Sequence, residues 1–156
     1  MAETLNTLKK RHLKEQLELA IKAKTALESS YRSLKKSRLP SARELDLGLA
    51  EKFEALASRF ARLVDIMTQK VFRAIEAVEL EDNGTLIDRF NRMEKRRIIK
   101  NAETWQDIRD LRNQIAHEYA LDTLEPLYRA IIKHCPEALD AVAQTAAYLK
   151  KQKLNK

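Results

Sequence analysis

"ARELDLGLAEKFEALASRFARLVDIMTQKVFRAIEAVEL", Ala42 to Leu80, carries the cleanest period in the chain. Leu49, Phe53, Leu56, Phe60, Leu63, Met67, Val71, Ala74 and Val78 recur three or four residues apart. At about 100° per residue, these positions fall on one side of a helix. The spacing predicts one helix over 42–80, with Ser41 and Glu44 placed as a capping box at its start and a length beyond the common globular range. A stripe this long needs a covering surface, in a bundle or on a second subunit. The fold that follows is all-α.

Working outward, the segment from Leu13 places Leu17, Ala20, Leu27, Tyr31 and Leu34 on one helical face and ends near Pro40. On the other side, Asn83-Gly84 supplies a turn, and Thr85 with Asp88 offers a cap. A shorter helix follows, with Leu86, Ile87, Phe90 and Met93 on one side. Asn101 is positioned to cap a helix over about 102–119 that carries Trp105, Ile108, Leu111 and Ile115. Asp122 and Glu125 form another capping pair, with Pro126 in a first turn, and Leu127, Ile131 and Ile132 bury the helix that follows. Pro136 reads as the first residue of a last helix using Leu139, Val142, Ala146 and Leu149, and 150–156 as a frayed tail. The expectation is one domain over 1–156, an up-and-down bundle of five or six helices.

The totals agree with this outline. Only 2 glycines and 3 prolines leave little material for hairpins, which argues against a sheet protein. Aromatic residues make up 6%, too few for a base-stacking platform. No apolar run is long enough to span a bilayer, and "MAETLNTLKKRHLKEQ" has no signal-peptide core, so the expected setting is the cytoplasm, away from membranes. Cys135 is the lone cysteine, which removes an intrachain disulfide or a cysteine metal site and reads as a buried thiol. A net charge of +7 suits a polyanionic partner. Arg92, Lys95, Arg96, Arg97 and Lys100 crowd together against the single acid Glu94, which makes this run a candidate RNA-binding patch.

"RDLRNQIAHEYA", Arg109 to Ala120, does not read as plain packing. Ile108, Leu111, Ile115 and Tyr119 share one side of the helix, and Arg112 stands among them. A guanidinium keeps its charge, so on such a face it needs partners or a ligand. Arg109, Asn113 and His117 form a polar stripe alongside at i, i+4 and i+8. Arg112 and His117 are about 140° apart around the axis, so on a straight helix their side chains do not converge. Either the helix bends or ends near His117, or the site combines two copies of this helix across a two-fold axis.

Arginine, histidine and a tyrosine hydroxyl suit the cleavage of RNA by its own 2′-hydroxyl, with no metal and no cofactor. Histidine titrates near neutral pH and serves as base or acid. Arginine brings a fixed cation and a donor fork matched to phosphate oxygens. His12 and His134 have no comparable company and read as structural or solvent-facing.

"RNQIAHEY" resembles the R-x4-H-x-Y signature of the HEPN superfamily, and most of all the HepT-like toxins. The wider string "TWQDIRDLRNQIAHEYALDTLEPLYRAIIKHCPEAL" is similar to that group too, with a tryptophan ahead of the motif and an acidic capping residue after it. The likeness covers roughly Leu86 to Leu139 and fades over the first helix. It implies a HEPN-like helical homodimer with its two motifs facing one another in a basic cleft. It implies metal-independent endoribonuclease activity, with tRNA as a target, through catalytic Arg112 and His117 supported by Asn113, Arg109 and Tyr119. It also implies a neutralising antitoxin of the minimal nucleotidyltransferase (MNT) type, which in some systems transfers AMP to the motif tyrosine, here Tyr119. An alternative remains at this stage: a non-catalytic substrate-binding subunit of a two-component nucleotidyltransferase that keeps the same residues. A helical dimer with a purely structural role is a third reading, which the intact Arg, His and Tyr disfavour.

Overall fold

The computed structural model describes residues 4–40, 46–117 and 121–153, the side chains of 121–123 excepted. Among these residues the regular structure is all helical. Helix α1 runs Leu5–Leu34, α2 Leu47–Ile66, α4 Leu86–Lys95, α5 Ala102–His117 and α6 Leu121–Lys151. A π-helical turn, Met67–Val71, joins α2 to α3, Phe72–Glu79, so the three form one rod.

That rod is the helix expected over 42–80, with corrected ends. Asp46 caps it, its Oδ1 accepting the Leu49 N–H at 3.0 Å, so the helix opens at Leu47 rather than Ala42. Ser41 and Glu44 lie outside the described residues. At the other end Leu80 adopts the left-handed conformation (φ 58°), and the Glu81 N–H turns back to the Glu76 carbonyl. Phe53, Leu56, Phe60, Leu63, Met67, Val71 and Ala74 are buried as the period demands, while Leu49 and Val78 are half-buried at the rim. The interruption at Met67–Val71 is invisible in the pattern, because apolar side chains occupy the inward positions on both sides of it. Inside the π turn, the buried Thr68 hydroxyl donates to the Val64 carbonyl at 2.9 Å.

Helix α1 begins at Leu5, earlier than the apolar pattern suggests, because Thr4 caps it through a bond from the Thr7 N–H. It packs against α2, α3 and α6. Thr85 and Asp88 form the expected capping box, and Gly84 stands where a Cβ would meet Asp88 Oδ2 at 2.6 Å. Beyond α4 the chain folds Ile98 and Ile99 into the core. Phe72, Phe90 and Trp105 pack their rings together, which fixes α3, α4 and α5 to one another. Ile87, expected to be buried, is 54% exposed, and Arg89 is buried beside Phe90 and Met93.

The expected break at Pro136 is absent. Helix α6 is continuous for 31 residues with Pro126 and Pro136 inside it. An interior proline costs a helix about 3 kcal/mol. Here Tyr128, Ile131, Cys135, Ala138, Val142 and Leu149 form one buried stripe that passes Pro136 without a change of register, and burial of that stripe outweighs the local cost. The supposed tail also starts late, since Lys150 and Lys151 belong to α6. The capping position Asp122 lies among the side chains not described. Buried side chains of all these helices join in one core cluster, and among the described residues no helix is long and apolar enough to cross a membrane.

Candidate functional site

Helix α5 opens as expected: Asn101 Oδ1 accepts the Thr104 N–H at 2.9 Å. Glu94 serves the same helix start, accepting the Ala102 N–H at 2.8 Å. Trp105, Ile108 and Leu111 bury one face of α5 against α2, α4 and α6. This leaves Arg112, Asn113 and Ile115 half-buried at the edge and Arg109 and His117 exposed.

The partner of Arg112 is Asp65, on α2. Its Nε meets Asp65 Oδ1 at 2.6 Å and its Nη2 meets Oδ2 at 2.9 Å, a bidentate fork. That bond raises the Arg112 pKa above the ordinary arginine value, against an opposing effect of burial. The nearest acids in sequence, Asp107 and Glu118, suggest local pairing; the observed partner comes from 47 residues away. Nothing in the period of α2 singles out Asp65, since exposed acids on helices are common.

Around this pair lies an open cleft of about 1080 Å³ between α2, the π turn, α5 and the first turns of α6. Arg109, Arg112 and Asn113 line it from α5, and Arg62, Asp65, Gln69 and Lys70 from the opposite wall. Arg62, Lys70 and Arg109 are exposed and make no ion pair among the described residues. Among the described residues, Glu54 is the one further acid on the wall. The cleft is therefore cationic, with Arg112 fixed by a carboxylate on its floor.

The structure brings together Arg109, Arg112 and Asn113. It does not bring His117 into the cleft: His117 is the last residue of α5, on another side from Arg112, and is not part of the cleft lining. Tyr119 lies outside the described residues.

The basic run after α4 has a different environment from the one its sequence suggests. Glu76, fully buried, accepts from both Arg89 and Arg92. Arg92 also donates to the Asn83 carbonyl at 2.6 Å. Arg96 is held between Glu79 and Glu81 at 2.5 and 2.7 Å. Burial works against the Arg96 charge, yet the bonds to Glu81 and Glu79 prevail and raise its pKa. Glu79 in addition accepts from the Tyr148 hydroxyl, so the network ties α3, α4 and α6 together. Lys95 and Arg97 are exposed, and Lys100 approaches Glu137 at 3.9 Å. Two acids of the neighbouring rod, with Glu81 just beyond its end, thus take up charge that the local sequence leaves unopposed. The signal that could have found them is the Glu76, Glu79 and Glu81 series at the end of a helix whose return is only a short turn away.

Among the described residues no group of three or more His, Cys, Asp or Glu stands together as a metal-ligand set. Cys135 is buried, and burial pushes its thiol up to about 12.

Fold and site together define an all-helical protein with a cationic cleft centred on a carboxylate-bound arginine. No family model, no curated protein and no solved structure matches the chain.

Proposed function

We propose that this chain is a HepT-like toxin: a metal-independent endoribonuclease, acting as a two-fold dimer in the cytoplasm and neutralised by an MNT-type antitoxin. The observation that supports it best is the placement of Arg112 and Asn113 of the R-x4-H-x-Y string on the wall of a cationic cleft. Arg112 already grips two carboxylate oxygens with a bidentate fork, the geometry that also fits two oxygens of a phosphodiester. An incoming phosphate competes with Asp65 for that fork.

In this reading the 2′-hydroxyl attacks the adjacent phosphorus and gives its proton to a histidine base, while the departing 5′-oxygen takes a proton from a histidine acid. Arg112 offsets the charge that builds on the phosphate oxygens. His117 stands on another side of α5 from Arg112, so the histidine that reaches one Arg112 belongs to the second copy of the chain. Tyr119, two residues on, is the position an antitoxin that transfers AMP would modify.

One observation favours a second reading. Arg112 is engaged by Asp65 and His117 lies off the cleft, as suits a non-catalytic binding subunit that presents the cleft to a nucleotidyltransferase partner. Expression in a bacterial host separates the two. The toxin reading requires growth arrest by the intact chain and normal growth with His117→Ala. Equal growth of both strains, at equal protein levels, leaves the binding subunit.

A further inference from the structure

The motif cleft has a continuation. A second groove, of about 550 Å³, opens where the π turn passes into α3, and the two share Gln69 and Lys70 in their linings. Arg73 and His12, both exposed, stand on the far groove. Arg62, Lys70 and Arg73 therefore mark one side of the α2–α3 rod across the π turn. At 1.5 Å per residue they extend over roughly 16 Å of its length. Neither Lys70 nor Arg73 makes an ion pair among the described residues, whereas Arg89, which also lines the groove, is already committed to Glu76. Among the described residues, Asp82 is the one acid on this lining.

Gln16 of α1 also lines the groove. A groove with unpaired cations along its wall suits a chain that carries phosphates.

We infer that Lys70 and Arg73 are the phosphate-binding residues of a single-stranded RNA path that leaves the Arg112 cleft over the π turn and enters the groove beside Gln16. This rests on the ribonuclease reading for its choice of RNA, and it assigns the strand a different course from the run Arg92 to Lys100. A single strand is preferred to a duplex because the walls are two adjoining grooves of one rod, and such channels follow a flexible backbone by charge.

The test is binding of a fluorescent single-stranded 2′-O-methyl RNA, read by anisotropy over a series of salt concentrations. This probe lacks the attacking hydroxyl, so binding is measured apart from cleavage. Lys70→Ala with Arg73→Ala should weaken binding about tenfold at low salt. The same pair should flatten the slope of log K against log salt by about 1.4, at ~0.7 for each lost phosphate contact. Lys95→Ala with Lys100→Ala, exposed positions of the other run, should leave both quantities at the level of the unmodified chain. Unmodified affinity and slope in the Lys70, Arg73 variant overturn the path, as does an equal loss in the Lys95, Lys100 variant or no binding by the intact chain. Binding that follows the path while unmodified RNA stays uncut retains the path and removes the nuclease. Cleavage with no effect of Lys70 and Arg73 does the reverse.

Discussion

Arg112 explains its own position in the helix. It stands among apolar residues because α5 turns that edge toward a cleft, and the charge finds Asp65 there instead of water. Asp65 is 43% exposed, so the pair adds little to stability, at most about 1 kcal/mol after screening. Asp65→Asn should accordingly lower the melting temperature by no more than a few degrees. It should also tighten binding of a phosphodiester, because it removes a competing anion from the cleft; weaker binding would mean that Asp65 shapes the site instead of occupying it. His134 carries a pH signature. Burial, together with Lys133, lowers its pKa from the usual 6.5, against smaller opposing effects of Asp107 and Glu137. A group lowered in the folded state contributes stability that is complete above its unfolded pKa and fades as pH falls through the folded one. Melting temperature should thus fall between pH 7.5 and 5.5, and His134→Gln should reduce that fall in scanning calorimetry.

At the scale of elements, apolar period and caps were legible, and long-range polar pairing was not. The stripe from Phe53 to Ala74, the Thr85–Asp88 box and the Asn101 cap are local facts of spacing, and the structure contains each of them. Glu76 is different. Its two arginine partners lie 13 and 16 residues away, and only the return of α4 onto α3 brings them close. Glu76→Ala would leave Arg89 without its buried counter-charge, a change that costs about 3–5 kcal/mol. The expected melting temperature is roughly 10 °C lower, with the helical spectrum retained below the transition. Pro136 misled for a related reason: a proline preference is a local rule, and the buried stripe of α6 is a tertiary one. Because Pro136 is inside a continuous helix, Pro136→Ala should stabilise the chain by about 1–2 kcal/mol. Destabilisation in thermal melts would indicate a helix start at that residue.

For the whole molecule, the R-x4-H-x-Y string names its residues but not their meeting place. Wheel geometry separates Arg112 from His117, and the unbroken α5 preserves that separation. The helix ends at His117, which is one of the two ways the sequence leaves for the residues to meet; a site that combines two chains is the other, and the proposed function uses it. It has a direct consequence. Because the two proton transfers take a histidine from each copy, a mixed dimer of one intact and one His117→Ala chain should be inactive, and an excess of the His117→Ala chain should suppress the activity of the intact one. Activity that simply follows the amount of intact chain would place Arg112 and His117 of one chain in the same site.

The central claim, that Arg112 and His117 cut RNA, is tested most directly by incubating the purified chain with total tRNA in EDTA. Arg112→Ala and His117→Ala proteins, matched in helical spectrum, run beside it. The account predicts cleavage by the intact chain alone, leaving 2′,3′-cyclic or 3′-phosphate ends. Intact tRNA in all three reactions, or equal cleavage in all three, would contradict it.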